Sequence, residues 1–206
     1  MKKLLWIIFA FFAIGVGLYP TLFIFQDMSQ GLLGSKSEAL RAGIWNTAFY
    51  LHIFLGGVSL LTGWSQFSSR LRKARLNLHR TLGKIYVAAV FISGLAGLYI
   101  AFFAEGGLVA KFGFGFLAAG WLTTTSLAFW TIRSRKIEEH QRWMIRSYAL
   151  TFAAVTLRIY LPIFDIFTDM QFLESYRIIA WLCWVPNLTL AEWYIRDKLS
   201  LKSAVV

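Results

Sequence analysis

"EEHQRWMIRSYALTFAAVTLRIYLP", residues 138–162, decides the fold. Its first third is crowded with charge, and the rest is hydrocarbon apart from Arg158. The environment that tolerates such a segment is a bilayer, whose core takes about twenty apolar helical residues to cross. The whole chain has the same character. It is 58% hydrophobic and 17% aromatic, with 15% charged residues and a mean hydropathy of +0.60 over 206 residues. A soluble domain of this length needs a larger polar surface, so the composition is that of a membrane protein. The net charge of +11 would suggest nucleic acid only if the basic residues clustered on a water-soluble domain, and no stretch is long and polar enough to make one. The single cysteine, Cys183, excludes an internal disulfide and says nothing of compartment.

Six apolar runs are long enough to span, at about residues 4–25, 43–65, 85–104, 112–132, 144–165 and 178–195. Lipid-facing backbone must satisfy its own hydrogen bonds, so the runs are expected to be helices, and they lack the alternation of barrel strands. The expected fold is an all-α polytopic membrane bundle of six transmembrane helices, one domain over residues 1–206. The first run resembles a secretory signal, but signal h-regions are shorter and no small-x-small site closes this one. It is expected to be a retained helix, kinked near Pro20.

Orientation follows from the Lys and Arg residues between runs. Sixteen fall on one side, among them Lys2, Lys3, Arg70 to Lys84, Arg133 to Lys136, Arg142, Arg146 and Arg196 to Lys202. Four fall on the other, Lys36, Arg41, Lys111 and Arg177, in company with Asp27, Glu38, Glu105, Asp165, Asp169 and Glu174. The expectation is a multi-pass protein of the bacterial inner (plasma) membrane with both termini cytoplasmic. The basic charge then serves topology and contact with anionic lipids at the cytoplasmic face, not nucleic-acid binding.

"RLRKARLNLHRTLGKIY" precedes the third apolar run and "RSRKIEEHQRWMIRSY" the fifth. Each reads basic cluster, histidine, basic residues, tyrosine, apolar helix. That places His79 and His140 at the cytoplasmic mouths of two helices running in the same direction, and hints at a duplicated hairpin. Two neutral imidazoles from facing helices can ligate one haem iron, or another metal, and Arg80, Arg142 and Arg146 are candidates for holding haem propionates. Each histidine is equally well explained as an interfacial hydrogen-bonding residue. With Glu138 or Glu139 the pair also matches a cytoplasmic-face zinc site, although two histidines and a glutamate are a common accident.

His52 lies about nine residues, roughly 13 Å, below the outer end of the second run, too far from the other histidines to share an ion. Arg158 lies at a similar depth, where an arginine costs about 2.5–3.5 kcal/mol on insertion scales unless it snorkels or finds a partner. Either it snorkels towards Asp165, two turns above, or it forms a ligand pocket with His52. The glycines Gly56, Gly57, Gly94, Gly97, Gly113 and Gly115 suggest close helix approach. The hydroxyls of Thr123 to Ser126 are expected to bond back to their own helix. Pro186 is expected to free a backbone carbonyl in the sixth run, with Asn187 as its partner. A single interruption of this kind is poor support for a transporter.

The stretches "LHIFLGGVSLLTGWSQFSSRLRK", "NLHRTLGKIY" and "HQRWMIRSYALTFAAVTLRIYLPIF" closely resemble a bacterial integral membrane family, domain of unknown function 2306 (DUF2306). The resemblance covers about residues 45 to 165 and implies the fold and the membrane location, not an activity. The family's motif positions correspond here to His52, His79, Arg80, Gly83, His140, Trp143, Met144, Arg146 and Arg158. A looser similarity links the chain to the two-haem, ascorbate-reducible cytochromes b, which carry histidines on four successive helices. The fourth-helix histidine is missing here, so that similarity implies at most one haem b, between His79 and His140. Three functions stay open: a redox-type protein exchanging with quinone or another small apolar molecule, a transporter, sensor or assembly factor using His52 and Arg158, and a zinc hydrolase.

Overall fold

The computed structural model describes residues 2–24 and 43–203. Among these the chain is helical with no strand. Six stretches of 20 to 31 residues are long and apolar enough to cross a membrane: Lys3–Leu22, Ile44–Phe67, Leu76–Ala101, Gly107–Arg133, Ile137–Phe167 and Phe172–Asp197. The all-α fold with six apolar spans is therefore as the sequence suggests. The loop charges Asp27, Lys36, Glu38 and Arg41, and the end of the first expected helix at residue 25, lie outside the described residues. Contacts gather into two compact units, Met1–Phe103 and Ala104–Val206, with three spans in each.

In the first unit α1 (Lys2–Leu18) gives way to a 3-10 turn over Tyr19–Ile24. Pro20 lies at that changeover, where its missing N–H and its ring prevent the α-helical bond. Helix α2 (Ile44–Gly63) tightens into a 3-10 turn over Trp64–Phe67. A short basic helix, α3 (Ser69–Ala74), follows, its N-terminus capped by the Ser68 hydroxyl, which accepts from the Leu71 N–H at 3.2 Å. Helix α4 (Leu76–Ala101) returns along α2 and forms the unit's largest interface with it. Leu60, Tyr86, Val90, Ser59 and Ser93 are fully buried there. Helix α1 packs on α2 through small residues. A Cβ on Gly57 would stand 2.5 Å from the Gly17 carbonyl oxygen, so the two backbones approach as closely as glycine permits.

In the second unit α5 (Gly107–Arg133) starts at Gly107, which like Gly106 before it has a positive φ. It ends in a Schellman turn: Lys136 N–H reaches Thr131 O and Arg135 N–H reaches Ile132 O. Arg135 takes the left-handed position at φ 60°, where a side chain costs about 1–2 kcal/mol. The turn sends α6 (Ile137–Thr151) back along α5. The fifth span continues as α7 (Ala153–Phe167), and the sixth comprises α8 (Phe172–Leu182) and α9 (Val185–Ser203).

Four helix starts precede the hydropathy-drawn boundaries by five residues or more, α5 at Gly107 rather than 112 and α8 at Phe172 rather than 178 among them. Helix α4 begins at Leu76 rather than residue 85, and α6 at Ile137 rather than 144. Lys, Arg and Glu are good helix formers, so charge ends an apolar run without ending a helix. His79 and His140 consequently sit inside helices, each as the fourth residue. Leu4, Ile7, Phe11, Phe102, Leu108, Trp130, Ile166, Phe167 and Trp193 expose most of their surface. That is a lipid-facing exterior, since in water such apolar patches would drive association.

The Gly17–Gly57 contact predicts that Gly57→Ala lowers stability by about 1–3 kcal/mol, because the added methyl meets backbone and not a movable side chain. Thermal unfolding in detergent is the measurement. Gly115→Ala, where a Cβ meets open space, is expected to leave the transition in place.

Candidate functional site

In the first unit the polar centre is His52. Its Nδ1 lies 2.9 Å from the Ser93 carbonyl oxygen on α4. A carbonyl can only accept, so Nδ1 carries the proton and, in the neutral ring, Nε2 carries the lone pair. The Ser93 hydroxyl donates to the His52 carbonyl at 2.8 Å, closing a two-way link between α2 and α4. Room for the imidazole comes from Gly97, where a Cβ would stand 2.7 Å from His52 Nδ1 and 2.8 Å from Cε1. Gly97 thus admits a ring, not merely a neighbouring backbone. His79 is half-buried in the first turn of α4 and Arg80 beside it is exposed. Gly83 faces Gln66, whose Oε1 would stand at an ordinary 3.7 Å from an added Cβ.

In the second unit α5 and α6 are joined by rungs one helical turn apart. Trp121 Nε1 donates to Thr151 Oγ1 at 2.8 Å, and Thr125 Oγ1 shares a hydrogen bond with Ser147 Oγ at 2.7 Å. His140 Nδ1 lies 2.8 Å from the Ala128 carbonyl oxygen. As at His52, the carbonyl sets the tautomer and leaves the lone pair on Nε2. This is the arrangement a histidine needs to ligate a metal or haem iron, with one nitrogen fixed by an outer partner and the other unprotonated. The hydroxyls of Thr124, Thr125 and Ser126 also bond back to carbonyls of their own helix, while Thr123 is exposed.

The arginines of this unit have different fates. Arg146 is committed to Glu192 on α9 through both carboxylate oxygens, with Nη2 to Oε2 at 2.9 Å. Its guanidinium also lies 4.5 Å from the centre of the Trp143 ring. A guanidinium held this way is ill suited to a propionate, so Arg146 is better understood as a helix–helix clamp. Arg142 is half-buried, and its buried Nε has no acceptor among the described residues. That orphan donor suits an anionic group. Arg158 donates from Nη1 to the Ala154 carbonyl at 2.9 Å, back along its own helix and in the opposite direction from Asp165. Met144 is half-buried.

His52 and His79 belong to the first unit, and His140, Arg142, Arg146 and Arg158 to the second. Glu139 forms an exposed ion pair with Lys136 at 3.3 Å. Among the described residues no three His, Cys, Asp or Glu side chains are grouped to hold a metal ion, so the zinc site with Glu138 or Glu139 gains no support. Three features escaped the sequence. The carbonyls that anchor His52 and His140 leave no mark in it. Glu192, a lone carboxylate within an apolar run, was a usable signal that a cation lies opposite. Asn187, expected as partner of the carbonyl that Pro186 frees (that of Leu182), instead lies 3.0 Å from Cys183 O, donates to Thr156 Oγ1 at 2.9 Å and lies 3.3 Å from Ala149 O.

Removing Glu192 would strand a part-buried cation. Glu192→Ala is expected to cost about 1–3 kcal/mol, less than the roughly 3–5 of a fully buried pair because both partners are partly exposed. Combining Arg146→Met with Glu192→Leu is expected to restore most of the loss in detergent unfolding curves.

No curated protein and no solved structure matches the chain. A family match does exist, covering residues 49–195 and described as "Predicted membrane protein (DUF2306)". It includes α4 to α8 entire, most of α2 and α9, and His52, His79, Arg80, His140, Arg142, Arg146 and Arg158. The chain belongs to the DUF2306 family of predicted membrane proteins.

Proposed function

We propose that the chain is a redox-type protein of the bacterial inner membrane, with both termini cytoplasmic, that holds a haem b or a metal ion through His140. The observation that carries this is the Nδ1–H of His140 anchored on the Ala128 carbonyl, which presents Nε2 for ligation. His79 is the second ligand by its matching place, the fourth residue of α4 as His140 is of α6. Arg142 is the residue for a propionate, because its buried Nε has no acceptor among the described residues. A bound haem would supply one-electron transfer, with quinone or another small apolar molecule as exchange partner. The chain's own part is to fix the tautomer of His140 and to shield the ligand from water. The sided Lys and Arg distribution supports the orientation and contact with anionic lipids.

A second reading, passage or sensing of a small molecule with His52 and Arg158 as its polar residues, is favoured by one observation. The fifth and sixth spans are both interrupted, at Phe152 and at Cys183–Trp184, as transporter helices are around their sites.

Absorption spectra of the purified protein after haem-replete expression, oxidised and reduced, test the first reading. A Soret band is expected, reduced at least tenfold by His140→Ala or His79→Ala and unchanged by Arg158→Met. A colourless protein with no metal by elemental analysis rejects it. A shift in melting temperature with anions or quinones, abolished by Arg158→Met, would instead support the second.

A further inference from the structure

The interruptions of the fifth and sixth spans lie beside each other, and a single side chain joins them. Pro186 has no N–H, so the carbonyl of Leu182 loses its helical donor, and α8 ends there before α9 begins at Val185. In the fifth span Val155 N–H bonds Phe152 O at 2.9 Å, a tight three-residue step between α6 and α7, flanked by ordinary helical bonds from Phe152 N–H to Tyr148 O and from Thr156 N–H to Phe152 O. Asn187 Nδ2 lies 3.0 Å from Cys183 O in its own span, 2.9 Å from Thr156 Oγ1 just beyond the other break, and 3.3 Å from Ala149 O just before it. Ala153, next to Phe152, packs with Cys183, and Asn187 reaches Ala149 and Thr156 on either side of Phe152, so the two interruptions lie at the same level.

The packing divides at the same level. Helix α6 packs with α9, joined by the Arg146–Glu192 pair. Helix α7 packs with α8 around Ala153, Ile179 and Cys183. The unbroken α5 touches both α6 and α8. From this we infer that the second unit contains a hinge within the membrane. The pair α6–α9 and the pair α7–α8 are two half-span blocks that pivot against α5, and Asn187 with Thr156 is the latch that holds them closed. Hydrogen bonds between membrane helices are individually weak, each shifting an equilibrium by about threefold. A latch of that size can open without unfolding the helices.

The inference stands whichever functional reading holds. The chain carries its own reporter: Cys183 is its single cysteine, fully buried beside the break. The test is the rate at which N-ethylmaleimide labels Cys183 in lipid nanodiscs, followed by intact mass. Thr156→Val and Asn187→Leu are each expected to speed labelling at least threefold. The control is a cysteine placed by Ser147→Cys in a Cys183→Ala background, fully buried on the unbroken α5–α6 interface. Its labelling rate is expected to stay within twofold when the same latch variants are added. Unchanged Cys183 labelling in Thr156→Val, or equal acceleration at both cysteines, overturns the hinge. Because either latch variant suffices, failure of Asn187→Leu to fold leaves the test intact.

Discussion

Inside a hydrocarbon slab no water is on hand to satisfy a polar group, so each one must find its partner in the protein. That demand organises this molecule more than shape complementarity among its aliphatic side chains does. Much of the exterior is apolar and faces lipid, which gives no net drive for one helix to prefer another. The contacts that choose partners are therefore small and polar. Ser93 links α4 to α2, Thr125 and Ser147 link α5 to α6, and Asn187 links the fifth and sixth spans. Glycine contributes by subtraction, at Gly57 where two backbones meet and at Gly97 where an imidazole takes the place of a side chain.

The same demand shapes the chemistry. Both His52 and His140 satisfy Nδ1 on a backbone carbonyl of the neighbouring helix. A neutral imidazole has one proton, so committing it to a carbonyl leaves Nε2 as the basic nitrogen. A structural tie between helices thereby prepares a ligand. The charged residues show the cost of the same slab in another form. Arg146 meets Glu192, Arg158 turns back to the Ala154 carbonyl, and Arg142 keeps one buried donor without an acceptor among the described residues.

Helix breaks follow from this logic as well. Pro186 opens the hydrogen-bond ladder in a place where an open carbonyl is costly, and the chain places an amide, Asn187, one residue later. The amide serves the neighbouring carbonyl of Cys183 and reaches across to the fifth span. One side chain thus serves a carbonyl beside the first break and attaches it to the second, although the carbonyl freed by Pro186, that of Leu182, is not the one it serves. Cohesion at that level rests on bonds that are weak singly, which is what a moving part of a membrane protein requires.

The sequence alone determined the helical class, the six spans and the sided distribution of basic residues, because hydropathy and charge are local sums along the chain. It also marked the residues with polar business in the membrane: His52, His79, His140, Arg158, Gly97 and Asn187 all stand out from their apolar surroundings. Helix starts were misread at residues 76, 107, 137 and 172 because hydropathy measures lipid preference and not helix propensity. Tertiary structure decided the partners. Ser93 for His52, Ala128 for His140, Glu192 for Arg146 and Thr156 for Asn187 lie 12 to 46 residues away. Which residues meet over such separations depends on the rotation and register of packed helices, and two of these partners are plain backbone carbonyls whose place no residue type announces.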